Sequence, residues 1–177
     1  MKQISEIPLI LATQECYERG RDIYDSIDDL EIIPAPADER SLSEMIRTKK
    51  PFAVVLGTER YTGPLYEAME KGGILARFGV GCDGVNLKKA EEKSLFVTNT
   101  PGVLETTVAE LTVFLAGEVL RRPGTVSRGM KQGKWNPVPG HELHGKVWAI
   151  LGLGKIGKKR RRLLSCGFGG RVLSLKD

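Results

Sequence analysis

The chain has 177 residues, 41% hydrophobic and 28% charged, with a formal net charge of +5. Its excess charge is local, because Lys155 and Lys158-Lys159-Arg160-Arg161-Arg162 supply six cations with no acid among them and the remainder is close to neutral. A chain-wide nucleic-acid surface is therefore not indicated, and no apolar run approaches the ~18 residues that would cross a membrane. The length suits one domain or two small ones with a real core.

Met1-Lys-Gln-Ile-Ser-Glu6 does not read as a signal peptide and leads into Pro8-Leu-Ile-Leu-Ala-Thr13, a first strand. Cys16 to Ile27 carries apolar residues at roughly helical spacing. Leu30-Glu-Ile-Ile33 is a second strand, closed by Pro34 and Pro36. Ser41-Leu-Ser-Glu44 resembles a capping box opening a helix through Met45 and Ile46. Phe52 to Leu56 is a third strand, and Pro64 suits the first turn of the helix that follows. Ile74 to Phe78 is a fourth strand running into Gly79-Val-Gly-Cys-Asp-Gly84. Leu87 to Lys93 is a polar helix and Leu95-Phe-Val-Thr98 a fifth strand. Short strands alternating with helices predict a parallel sheet covered on both faces, so residues 1–100 read as a flavodoxin-like α/β unit.

Asn99-Thr-Pro-Gly-Val103 breaks the alternation. Thr107-Val-Ala-Glu110 fits a second capping box, ahead of a long helix with Leu111, Phe114, Leu115 and Val119 at helical spacing that ends near Arg121-Arg122-Pro123-Gly124. Val126 to Trp135 is read as another helix and Asn136-Pro-Val-Pro-Gly140 as a linker, which places a domain crossing in 101–145. Val147 to Leu151 then feeds into Gly152-x-Gly154-x-x-Gly157, with another strand, Arg171 to Leu175, about 20 residues on. In such a strand-turn-helix the first glycine permits the tight turn and the second lets a pyrophosphate approach the backbone. The third lets helix and strand pack closely, and the helix N-terminal amides face the anion. Residues 146–177 are thus expected to begin a Rossmann dinucleotide-binding domain.

The three cysteines, Cys16, Cys82 and Cys166, are odd in number and lack C-x-x-C spacing, which predicts reduced thiols and a cytoplasmic setting. Cys82 is read as inert, and no cluster has metal-ligand spacing.

Arg77-Phe-Gly-Val-Gly-Cys-Asp-Gly-Val-Asn86, Val97-Thr-Asn-Thr-Pro101, Thr107-Val-Ala-Glu110, Gly129-Met-Lys-Gln-Gly-Lys-Trp135, Leu143-His-Gly-Lys146 and the dinucleotide motif follow one another in order. Together they resemble the D-isomer-specific 2-hydroxyacid dehydrogenase family. The resemblance implies a two-domain, commonly homodimeric enzyme that exchanges hydride between NAD or NADP, NAD being the first choice here, and a small 2-hydroxy or 2-keto acid. It implies that the Val80 and Gly81 amides hold the substrate carboxylate. It also implies that Gly152, Leu153, Gly154, Lys155, Ile156 and Gly157 surround the pyrophosphate. Asp177 is the candidate acid for the ribose hydroxyls, although Lys176 falls nearer the family's usual position and would suit a 2′-phosphate.

Two departures stand out. The helix after Gly157 places Lys159 and Arg160 on the stripe that should face the sheet. Arg161 stands where the family has a small residue, and aligning the later glycines needs a one-residue slip between 158 and 169. The family's catalytic arginine, glutamate and histidine also find no counterpart, since His141 and His144 both precede the strand. The expectation is a truncated or frame-disturbed chain, inactive alone, with no catalytic residue of its own. The alternative is an NAD(H)-binding corepressor-like interaction protein, in which Lys158 to Arg162 would serve as a nuclear-localisation patch.

Overall fold

The structure is a computed structural model that describes residues 7–175. The chain forms two compact units, Met1–Pro101 and Gly102–Asp177.

In the first unit the elements run β1 (Leu9–Thr13), α1 (Gln14–Tyr24), β2 (Glu31–Ala35), α2 (Glu39–Lys49), β3 (Ala53–Leu56), α3 (Pro64–Ala68), β4 (Ile74–Arg77), α4 (Leu87–Glu92) and β5 (Phe96–Thr98). The five strands form a wholly parallel sheet in the order β2-β1-β3-β4-β5, which is the flavodoxin-like order. Leu11, Val54 and Leu75 stand in register across the three central strands and are fully buried. Leu42 and Ile46, one turn apart on α2, join this core, as do Leu65 and Tyr66 of α3. Each such burial contributes on the order of 1.5–3 kcal/mol before its ordering cost.

Among the boundaries that differ from the sequence reading, two have a plain physical cause. The second strand does not stop at Pro34 but passes through it to Ala35. Glu31 donates its amide to the Pro8 carbonyl at 3.0 Å, so the two-residue period turns Ile33 toward β1 as well and leaves Pro34 facing the open edge, where its missing N–H removes no ladder bond. Helix α2 is capped by Asp38 rather than Ser41, the Asp38 carboxylate accepting from the Ser41 amide at 2.9 Å. That bond holds the Asp38 carboxyl below its ordinary range.

Glu39 ties the start of α2 to the start of α3. Its carboxylate accepts from the amides of Thr62 (2.8 and 2.9 Å), Gly63 (2.8 Å) and Leu65 (3.2 Å) and from the Thr62 hydroxyl (2.8 Å). Gly63, the N-cap of α3, has no side chain with which to do this itself, and a carboxylate at a helix N-terminus also complements the helix dipole.

The second unit contains α5 (Glu105–Arg121), α6 (Pro123–Lys131), β6 (Val147–Leu151), α7 (Lys155–Arg162) and β7 (Arg171–Leu175). Strands β6 and β7 pair in parallel, from Val147 opposite Arg171 to Leu151 opposite Leu175. Helix α5 begins two residues before Thr107, at a Leu104 N-cap that offers no side-chain bond, so the Thr107 capping box does not form. Arg122 ends α5 in the left-handed region at φ 51° and Pro123 opens α6. None of the described helices is long and apolar enough to cross a membrane.

Helix α7 continues without a break into a π-helical turn, Leu163–Gly167. A π turn takes up one more residue than an α turn, and it lies within the segment where the sequence calls for a one-residue slip.

Candidate functional site

Two glycine loops carry the candidate residues, one in each unit. In the first unit, β4 runs straight into Gly79-Val80-Gly81. Gly79 has φ +140°, a conformation closed to side chains, and its amide returns to the Arg77 carbonyl at 2.8 Å. The loop is pinned from β5, since Thr100 donates its amide to the Gly79 carbonyl at 2.9 Å and Asn99 donates Nδ2 to the Val80 carbonyl at 2.7 Å. With the carbonyls taken, the Val80 and Gly81 amides find no acceptor among the described residues. Such a pair of adjacent donors suits a carboxylate.

The exit of the loop is fixed by close approach. A Cβ on Gly84 would collide with the Glu59 carbonyl, and the Gly84 carbonyl accepts from the Tyr61 amide at 2.9 Å. Buried Tyr66 donates its hydroxyl to the Tyr61 carbonyl at 3.2 Å and accepts from the Asn86 amide at 2.6 Å. Asn86 then caps α4 through the Lys89 amide at 3.1 Å. Burial, and then the Glu59 carboxylate, push the neighbouring Tyr61 hydroxyl well above the ordinary tyrosine range, so it stays protonated. Asn99, Tyr61 and Tyr66 are the supports that motif reading passes over, because their work is set by pairing across elements. Cys82 lies in this loop as a half-buried free thiol.

In the second unit, Gly152, Gly154 and Gly157 have three separate reasons to be glycine. Gly152 adopts φ +84°, turning the chain off β6. A Cβ on Gly157 would strike the Gly152 carbonyl oxygen, so α7 lies against the strand end only because that atom is missing. Gly154 is neither strained nor crowded, since a Cβ there would meet nothing within 4 Å. It borders open space at the N-terminus of α7, where the first helical amides have no intrahelical acceptor. Leu153 and Ile156 are half-buried and Lys155 is exposed. Lys176 and Asp177, the candidates for the ribose end of the cofactor, lie outside the described residues.

Of the two basic residues expected on the stripe facing the sheet, Arg160 lies there and Lys159 is exposed. Arg161 is exposed, whereas Arg160 is half-buried with an Nε that is shielded from solvent and has no partner. Gly157, Arg160 and Leu164 form the inner stripe, and a guanidinium on it must snorkel. His141 and His144 are both exposed in the loop before β6, and the His144 ring lies over Gly169.

Residues 10–168 match the D-isomer specific 2-hydroxyacid dehydrogenase family, catalytic domain. The chain belongs to that family. Among D-2-hydroxyacid dehydrogenases, it is 30% identical to the glyoxylate reductase of Korarchaeum cryptofilum over 94% of this chain and 52% of the relative. It is 32% identical to the hydroxypyruvate reductase of Thermotoga maritima over 79% of this chain and 46% of the relative. Among solved structures, the NADPH-dependent glyoxylate/hydroxypyruvate reductase of Sinorhizobium meliloti in complex with citrate superposes with a TM-score of 0.78 at 28% identity, covering 94% of this chain and 53% of that one. The chain thus spans about half the length of these dehydrogenases.

Proposed function

We propose that this chain provides the substrate-carboxylate loop and the first part of the nicotinamide-dinucleotide site of a 2-hydroxyacid dehydrogenase, and does not turn substrate over by itself. Residues 1–100 take the role of substrate domain, 101–145 the crossing and 146–177 the start of the NAD(P)-binding domain.

The observation that carries this reading is the cradle at Gly152–Gly157. Its open Gly154 position, positive-φ Gly152 and uncapped α7 amides fit a pyrophosphate in both shape and charge. Gly152, Leu153, Gly154, Lys155, Ile156 and Gly157 would hold NAD or NADP there, and the bound cofactor would supply the hydride for a 2-keto acid. The Val80 and Gly81 amides would orient the acid through its carboxylate. The named relatives support glyoxylate or hydroxypyruvate as the acid, and the Sinorhizobium meliloti enzyme supports NADPH beside NADH.

Reduction also needs a general acid and a cation on the carbonyl. Both histidines of the chain are exposed, and no described carboxylate pairs with either ring. Purified chain should therefore bind NADH or NADPH, read as enhanced cofactor fluorescence, and leave NADH absorbance unchanged with glyoxylate or hydroxypyruvate. Turnover that follows the protein through purification would overturn the inactive reading, and loss of cofactor binding only in a variant outside Gly152–Gly157 would overturn the cradle.

A further inference from the structure

We propose that a second cleft in the C-terminal unit, between the first turn of α5 and the outward face of α7, binds a compact anion carrying several phosphate groups. This goes beyond the dinucleotide reading. It concerns a cleft that meets the glycine cradle at Lys155 and runs on along α7 to Arg162.

The cleft has a volume of about 450 Å³ and is lined by Gly102, Glu105, Thr106, Lys155, Lys158, Lys159 and Arg162. Lys155, Lys158, Lys159 and Arg162 follow at three, four and seven residues along one helix, so all four fall on one face. None of them takes part in an ion pair among the described residues. Packing does not account for this run either, because all four are exposed and only Arg160, on the opposite stripe, turns inward.

The shape and the charge of the cleft narrow the ligand. The lining carries four cations and one carboxylate, Glu105, so its balance matches a ligand with about three or more negative charges better than a single phosphate. Lysines serve phosphate as point charges, while an arginine can engage two oxygens at once. The Thr106 hydroxyl adds a neutral donor. A concave volume of this size suits a small molecule, whereas a nucleic acid would need a basic track along the surface.

The test is calorimetric titration of the 177-residue chain with inorganic tripolyphosphate at low ionic strength, beside orthophosphate. Tripolyphosphate should bind more tightly than orthophosphate and weaken as salt is raised. K158E/K159E should lower its affinity roughly tenfold or more, while K131E/K134E, the same charge change elsewhere in the unit, should leave it unaltered. Circular dichroism checks that the variants fold, and Lys159→Gln alone carries the comparison should the double variant unfold. Absence of binding, or equal weakening by both double variants, overturns the proposal. So does displacement by NADPH with an unaltered affinity in K158E/K159E, which would place the anion in the glycine cradle. NADPH binding is titrated separately, so its failure would count against the cradle alone.

Discussion

Glu39 holds the start of α3 with one carboxylate, and its charge is what the arrangement uses. Burial alone would raise its pKa, but hydrogen bonds from Thr62, Gly63 and Leu65 outweigh that and hold it below the ordinary 4.5. A depressed folded pKa means the stabilisation is fully present above about pH 4.5 and is lost as pH falls through the folded value. Glu39→Gln should therefore cost about 1–2 kcal/mol at pH 7 in urea unfolding followed by circular dichroism. The gap to the unaltered protein should close under acid conditions; a pH-independent difference would show that shape, not charge, matters there. At Gly157 the reason is steric. Gly157→Ala forces a methyl into the Gly152 carbonyl, at an expected cost of about 1–3 kcal/mol. Both tryptophans, Trp135 and Trp148, lie in the second unit, so intrinsic fluorescence should register this loss while leaving first-unit unfolding unaltered.

Among the elements, the strands were the most legible. Val54, Val55 and Leu75 belong to short apolar runs bounded by glycine and proline, and buried parallel strands permit nothing else. Caps were less legible, because S-x-x-E at Ser41 and T-x-x-E at Thr107 satisfy a pattern without saying where the chain first turns. Asp38 won the first by bonding the Ser41 amide. The second lost because α5 starts upstream, at Glu105. The π turn after α7 was visible only as a mismatch, since a sequence shows that a residue is surplus but not where the helix widens. Lys155 and Ile156 were readable from the glycine spacing, whereas Asn99 was not, as its bond to the Val80 carbonyl depends on β5 lying beside β4. The two units also differ in how much apolar surface they remove from water. Fourteen residues form the core cluster of the first, while Ala109, Ile150 and Leu164 are the buried apolar side chains described in the second. Limited proteolysis should accordingly cut within 125–177 well before 1–100, and equal resistance along the chain would contradict this.

At the scale of the molecule, the second unit leaves much apolar surface bare. Phe114 and Val119 on α5 are 72% and 73% exposed and Leu151 at the end of β6 is 78% exposed. In the first unit, Pro34 at the sheet edge matters in a further way. An unpaired β2 could in principle template a strand from another copy, but its outward side offers a carbonyl and no donor at residue 34. A visiting strand would find its ladder interrupted there, which disfavours pairing at this edge. Replacing Pro34 with valine restores that donor and should produce concentration-dependent association in light scattering. One imino acid thus decides whether the five-stranded sheet ends at β2 or continues into a neighbour.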